Sequence, residues 1–154
     1  MVWRCQIRAF LDSNVWYSGL HSPQGAPGKV IALCAEGKFH AVVSRLVLEE
    51  VIGAIKSKMP EKLNAFKEFL LLYPPEICPD PSSEKISQYF KIIHTEDAPI
   101  LAAAIAAKVD YLVSGDRHFL PKVDSLKEKG VMVVSPGEFE RRSDNNGRKL
   151  FLKS

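Results

Sequence analysis

The segment Tyr111–Leu120, YLVSGDRHFL, decides the fold. Three apolar residues run into Ser114-Gly115-Asp116, so a buried strand ends and an acid follows almost at once. Gly115 is expected to let the backbone turn sharply there. The same pattern occurs near the N-terminus, where the strand-like run IRAFL ends at Asp12. Carboxyl ends of parallel strands lie along one edge of a sheet, so both acids are expected at that edge.

The rest of the chain alternates between strand-like and helix-like segments. Further strands are predicted at FHAVVS and VMVVS, and EICPDPSS is a short strand or an extended connector. Helical spacing of apolar residues is found in a short segment over 29–35 and in RLVLEEVIGAIKSKM, EKLNAFKEFLLL, EKISQYFKII and EDAPILAAAIAAKV. Ser82 or Ser83 and Thr95 are predicted N-caps. This alternation predicts an α/β fold with a parallel sheet covered on both faces.

Composition and charge limit the class of protein. The chain has 154 residues, enough for one domain, with 46% hydrophobic and 25% charged residues. The net charge of +3 neither indicates nor opposes a nucleic-acid partner. ILAAAIAA, the longest apolar run, is less than half of the roughly 20 residues of a membrane span, and the first twelve residues lack a signal-peptide core. A cytoplasmic protein without a membrane partner is expected. Cys5, Cys34 and Cys78 show neither disulfide nor zinc spacing.

Helix geometry adds two acids to the predicted edge. In the helix after Ser44, Glu49 projects away from the apolar face, whereas Glu50 lies at its border and can lean toward the sheet. In the helix after Thr95, Asp97 shares the apolar face and Glu96 does not. An acid that faces the core is costly unless something binds it. Glu50 and Asp97 are therefore expected to join the two strand-end acids.

A cluster of Asp12, Glu50, Asp97 and Asp116 points to metal chemistry. Carboxylates placed close together repel each other, and divalent cations relieve that repulsion. Oxygen ligands suit Mg²⁺ or Mn²⁺, which can activate water against a phosphodiester. Each acid also has an ordinary interpretation as a turn residue, a helix-start residue or a solvated surface acid. The convergence of all four on one edge favours the metal site.

The segments FLDSNVW, SRLVLEEV, EDAPILAAAIAAKVDYLVSGDRHFL and VMVVSPGEF resemble the PIN-domain ribonucleases, whose fold is that of VapC-type toxins. The resemblance covers about residues 7–139 and implies a three-layer α/β/α sandwich. It implies one PIN-like domain over residues 1–140, followed by a loosely ordered basic tail over 141–154. It also implies Mg²⁺- or Mn²⁺-dependent cleavage of single-stranded RNA, a homodimer and a candidate antitoxin partner.

Carried over by position, the resemblance makes Asp12, Glu50, Asp97 and Asp116 the catalytic and metal-binding acids, with Asn14 and Ser114 as supporting residues. Arg117 and His118 are candidate substrate contacts, with an exposed loop as the alternative for His118. Four lysines after Glu50 are either an RNA groove or a solvated helix face: Lys56, Lys58, Lys62 and Lys67. The alternative function is a catalytically silent PIN domain that binds RNA or a protein.

Overall fold

The computed structural model describes residues 6–93 and 97–144 and contains one parallel sheet within them. Its strand order is β3-β2-β1-β4-β5, so the strand that ends at Asp12 lies in the centre. The strands are β1 (Arg8–Leu11), β2 (His40–Ser44), β3 (Glu76–Cys78), β4 (Tyr111–Val113) and β5 (Met132–Val134). All four strand pairings are parallel, which confirms the predicted sheet.

Helices connect the strands and cover both faces of the sheet. Within the described residues they are α1 (Ser13–His21), α2 (Ala26–Ala35), α3 (Arg45–Lys58), α4 (Leu63–Leu72), α5 (Ser83–Phe90), α6 (Ala98–Ala106), α7 (Val123–Glu128) and α8 (Pro136–Asp144). Right-handed crossovers in this strand order put α1–α4 on one face and α5–α7 on the other. Helix α8 packs against α2 and completes the first layer. The predicted three-layer α/β/α fold is confirmed.

Three helices differ from the sequence-based expectation: one is additional, and two begin at other residues than expected. Helix α1 was not predicted at all, and α2 begins at Ala26 because Pro27 suits a first helical turn. Helix α6 begins at Ala98, two residues later than expected, and Asp97 occupies its N-cap position. The predicted cap Thr95 lies outside the described residues, whereas Ser82 caps α5 by accepting from the Lys85 amide at 3.3 Å.

Helix α8 extends into the segment that the sequence predicts as a loose tail. Helix α8 continues to Asp144, and Glu138 forms ion pairs with Arg141 at 3.1 Å and Arg142 at 3.0 Å. Arg142 also donates to the Tyr111 hydroxyl at 3.1 Å, which ties this helix to β4. The remainder of the predicted tail, 145–154, lies outside the described residues.

The core lies on both sides of the sheet and fixes the strand ends. Small side chains make up most of the buried part of α6, which brings this helix close to the sheet. On the other face, Trp16 packs edge-on against Phe66 and Phe69 of α4, at centroid distances of 6.1 and 6.4 Å. Cys34 and Cys78 are free thiols. No helix among the described residues has the length and apolar character needed to cross a membrane.

Candidate functional site

Asp12 stands at the junction between β1 and α1. Its backbone amide donates to the Val113 carbonyl at 3.0 Å, so the ladder with β4 continues one residue past the strand. Its side chain accepts from the Ser13 amide at 2.7 Å and caps α1. The residue is only 2% exposed. The Asp12 carboxylate is thus held rigidly at the carboxyl edge of the central strand.

Ser114 connects Asp12 to Asp116. Its buried hydroxyl donates to Asp12 Oδ2 at 2.7 Å and accepts from the Asp116 amide at 3.0 Å. The Ser114 amide donates to the Val134 carbonyl at 3.0 Å, which fixes the residue between two strands. One hydroxyl therefore sets the position of both strand-end acids.

Asn14 supports the same turn from α1. Its Oδ1 accepts from the Gly115 amide at 3.1 Å, and its Nδ2 lies 3.4 Å from Asp12 Oδ2. The turn at Gly115 does not use a positive φ, since the positive-φ glycines of the described residues are Gly37 and Gly130. The Asn14 side chain holds the turn by hydrogen bonding instead.

Asp97 and Asp116 approach each other beside His118. The His118 Nδ1 lies 3.0 Å from Asp116 Oδ1 and 3.3 Å from Asp97 Oδ2, and its amide donates to Asp116 Oδ1 at 2.9 Å. In the part of the chain that the structure describes, these three residues offer one ligand atom each within 4.8 Å of one another. His118 belongs to a short 3-10 segment, Arg117–Lys122, that begins after the Ser114–Asp116 turn at the end of β4.

Burial and mutual repulsion perturb the pKa values of the acids. Burial raises the pKa of Asp12, and the charge of Asp116 adds to this effect. Burial also raises the pKa of Asp97 to about 7, with further contributions from the hydrogen bond and charge of Asp116. The hydrogen bond from Asp97 in turn lowers the pKa of Asp116. Without a cation, the Asp97–Asp116 pair therefore retains one proton up to nearly neutral pH.

The donor set suits a divalent cation. Two carboxylates from separate segments and a neighbouring imidazole converge, and a divalent cation would relieve the repulsion between the two carboxylates. Asp97 and Asp116 could hold such an ion, with His118 beside them. Asp12 lies close enough to this group for its charge to add to the rise in the pKa of Asp97.

Glu50 lies on the other side of Asn14. It lines a pocket between α1 and α3 together with Ser13 and Asn14, and it is not part of the three-residue group. Glu49 instead forms an exposed ion pair with Arg45 at 3.6 Å, as its predicted orientation requires. The structure thus brings Asp12, Asp97 and Asp116 together and leaves Glu50 in an adjoining pocket.

Arg117 and His118 lie in different surroundings although they are adjacent in the sequence. Arg117 is exposed and lines a pocket near the end of β5, whereas His118 contacts both acids. The sequence indicated an exposed loop as one alternative for His118, but the structure shows contacts with two acids, although 61% of its side chain is exposed. Its place two residues after Asp116 was the available signal, because an Asp side chain in a turn commonly accepts from the backbone amide two residues later.

The fold is an α/β/α sandwich around a parallel sheet, and acids follow the carboxyl ends of its central strands β1 and β4. The chain belongs to the PIN domain family, whose model matches residues 8–118. The matched range contains all four predicted acids and ends at His118.

Two solved structures share this fold. VapBC2 from Rickettsia felis, solved bound to a DNA fragment from the promoter, is 19% identical, with a TM-score of 0.57 over 84% of this chain and 98% of that chain. PAE2754 from Pyrobaculum aerophilum is 14% identical, with a TM-score of 0.59 over 88% and 94% of the respective chains. No curated protein matches the sequence significantly.

Proposed function

We propose that this protein is a metal-dependent endoribonuclease that hydrolyses phosphodiester bonds of single-stranded RNA, with Mg²⁺ or Mn²⁺ as its cofactor. The observation that supports this proposal is the approach of Asp97 and Asp116 to each other beside the buried Asp12, where burial and the neighbouring Asp116 raise the pKa of Asp97. Such an arrangement is unfavourable as a purely structural feature, because it places like charges together away from water. PIN family membership supports the same chemistry.

When bound, the cation would lower the pKa of the attacking water and neutralise charge on the leaving oxygen. Asp97 and Asp116 are proposed to hold it, and Glu50 to complete the site from the α3 side. Asp12 contributes negative charge at a fixed position, since the Ser13 amide and the Ser114 hydroxyl hold its carboxylate. Asn14 and Ser114 act as positioning residues through the hydrogen bonds of the turn.

His118 is proposed to contact the substrate or to move a proton at the edge of the site. Its Nδ1 faces the two acids, while most of the ring is open to solvent. That position allows the imidazole to reach a phosphate that approaches Asp116. Arg117 is proposed as a more distant contact to the same RNA strand.

We further propose a toxin role, with a cognate antitoxin as protein partner, and a cytoplasmic location. The shared fold with the toxin–antitoxin protein VapBC2 supports this role. A homodimer is also proposed, and exposed apolar side chains near the end of α4 offer it a surface. Leu71 is 83% exposed and Leu72 is 64% exposed, and Ile77 of the edge strand is 58% exposed.

Cleavage of a fluorescent single-stranded RNA tests the nuclease proposal. Wild type, Asp12→Asn and Asp116→Asn proteins are compared with Mn²⁺, Mg²⁺ or EDTA, and Asp124→Asn, an exposed acid of α7, is the matched control. Metal-dependent cleavage by wild type and the control, lost in the two site variants, is expected. A wild type that binds RNA or a protein without cutting would favour the silent binding module. Equal cleavage by all variants would contradict the proposed site.

A further inference from the structure

We propose that the pocket between α1 and α3 binds the nucleotide adjacent to the cleaved phosphate. In this Tyr17–Lys58 pocket, Lys58 would neutralise the flanking phosphate and Tyr17 would stack on the base. The inference rests on the proposed function and extends it by giving the substrate a second point of contact.

The pocket adjoins the acidic site through Asn14. Its volume is about 240 Å³, and its walls are Ser13, Asn14 and Tyr17 from α1 and residues of α3 that include Glu50 and Lys58. Asn14 is shared, because its side chain also bonds to the Gly115 amide beside Asp116. A strand whose phosphate lies at Asp116 can therefore continue over Asn14 into the pocket.

Tyr17 and Lys58 have the chemistry that a nucleotide needs. The Lys58 Nζ lies 5.7 Å from the centroid of the Tyr17 ring, and this ring is half-buried on α1. His21 lies nearly parallel to Tyr17, with an interplanar angle of 11° and a centroid distance of 6.2 Å, and supports the ring. When the ammonium turns to a phosphate, the ring face that it covered becomes available to a base.

The positive charge of Lys58 would also reduce the repulsion between the acidic site and the RNA. Carboxylates at the neighbouring edge repel the phosphates of an approaching RNA, and Lys58 offsets that repulsion one nucleotide away. Of the four lysines singled out from the sequence, Lys62 donates to the Leu20 carbonyl at 2.9 Å and therefore has a structural contact. Lys56 and Lys67 are exposed and lie outside the pocket lining.

Lys56 supplies the matched control, since it shares helix α3, charge and exposure with Lys58. The affinity of the full chain for a short fluorescent single-stranded RNA is measured by anisotropy in EDTA at several KCl concentrations. Lys58→Ala is expected to reduce the slope of log affinity against log salt by about 0.7, the value for one phosphate contact on a single strand. Lys56→Ala is expected to leave the slope unchanged.

Tyr17 is tested separately because its contact is not ionic. Tyr17→Ala is expected to weaken binding roughly 5- to 150-fold with the salt slope retained, whereas Tyr17→Phe keeps the ring and should bind like wild type. Thermal melting of each variant identifies loss of folding. A Lys58 that only packs on Tyr17 would lower the melting temperature in Lys58→Ala without changing the salt slope, and this result would overturn the inference.

The two proposals fail differently. A wild type that cleaves RNA while Lys58→Ala and Lys56→Ala bind and cut identically would overturn the pocket and leave the nuclease intact. Binding with the predicted slope difference, in a wild type that never cleaves, would overturn the nuclease and support the pocket as an RNA site. A wild type that does not bind RNA at all would overturn the pocket.

Discussion

The affinity of the acidic site for Mn²⁺ should depend on pH through Asp97. In the metal-free protein the pKa of Asp97 is raised to about 7 by burial and by the adjoining Asp116. A cation that binds both carboxylates must displace the proton that they share. The apparent affinity should therefore rise with pH up to about 7 and become constant above it.

The magnitude follows from the raised pKa. At pH 5.5, about 1.5 units below that pKa, only about 3% of Asp97 is ionised, so the affinity should be about 30-fold weaker than at pH 8.5. Well below pH 7 the slope of log affinity against pH should approach one decade per pH unit, and above pH 7 it should approach zero. Isothermal titration calorimetry with Mn²⁺ in matched buffers measures both quantities, together with the number of protons released on binding.

Two variants test whether the pH dependence of Mn²⁺ affinity comes from the Asp97 carboxyl group. Asp97→Asn removes the titrating carboxyl group, so weaker binding without the slope below pH 7 is expected. His118→Gln removes the neighbouring imidazole and leaves the carboxyl pair, so the slope should remain. Wild-type affinity that is constant from pH 5.5 to 8.5, or a slope that survives in Asp97→Asn, would refute the reasoning.

Further substitutions at four positions test the hydrogen bonds of the site, the packing of two helices and the proposed dimer surface. Ser114→Ala removes a charge-assisted hydrogen bond to buried Asp12 and should cost about 1.5–3 kcal/mol in denaturant unfolding and reduce cleavage, whereas Ser114→Thr should retain both properties. Gly28→Ala would put a Cβ 2.1 Å from a backbone oxygen and should destabilise by about 1–3 kcal/mol or more, while Gly53→Ala, with open space on α3, should stabilise by up to about 1 kcal/mol. Leu71→Glu should convert the proposed dimer to a monomer in light scattering, and an unchanged dimer mass would exclude this surface.

The fold could be predicted because the alternation of strand-like and helix-like segments in the sequence is the one that a parallel α/β sheet requires. Runs such as IRAFL and YLVS end at acids, and parallel strands must bring such ends to one edge. The same rule places Asp12 near Ser114, and their hydroxyl–carboxylate bond follows from the pairing of β1 with β4. Glu49 and Glu50 could be told apart because helical periodicity separates adjacent residues by about 100°.

Other features depend on tertiary contacts that no local pattern contains. The contact of His118 with Asp97 joins residues 21 apart, through a 3-10 turn that polar residues only weakly indicate. Helix α1 was missed because it follows Asp12 directly, where the sequence favours a turn. The relation of Lys58 to Tyr17 depends on how α3 packs on α1, which sequence spacing does not determine.

The most direct test of the central claim is anomalous diffraction from crystals soaked in Mn²⁺. The account predicts a peak at bonding distance, about 2.0–2.6 Å, from carboxylate oxygens of both Asp97 and Asp116, on the side that faces Asp12. The same soak of Asp116→Asn crystals should lose this peak. A wild-type crystal without a peak there, or with its strong peaks only elsewhere on the surface, would contradict the claim that Asp97 and Asp116 form a cation site.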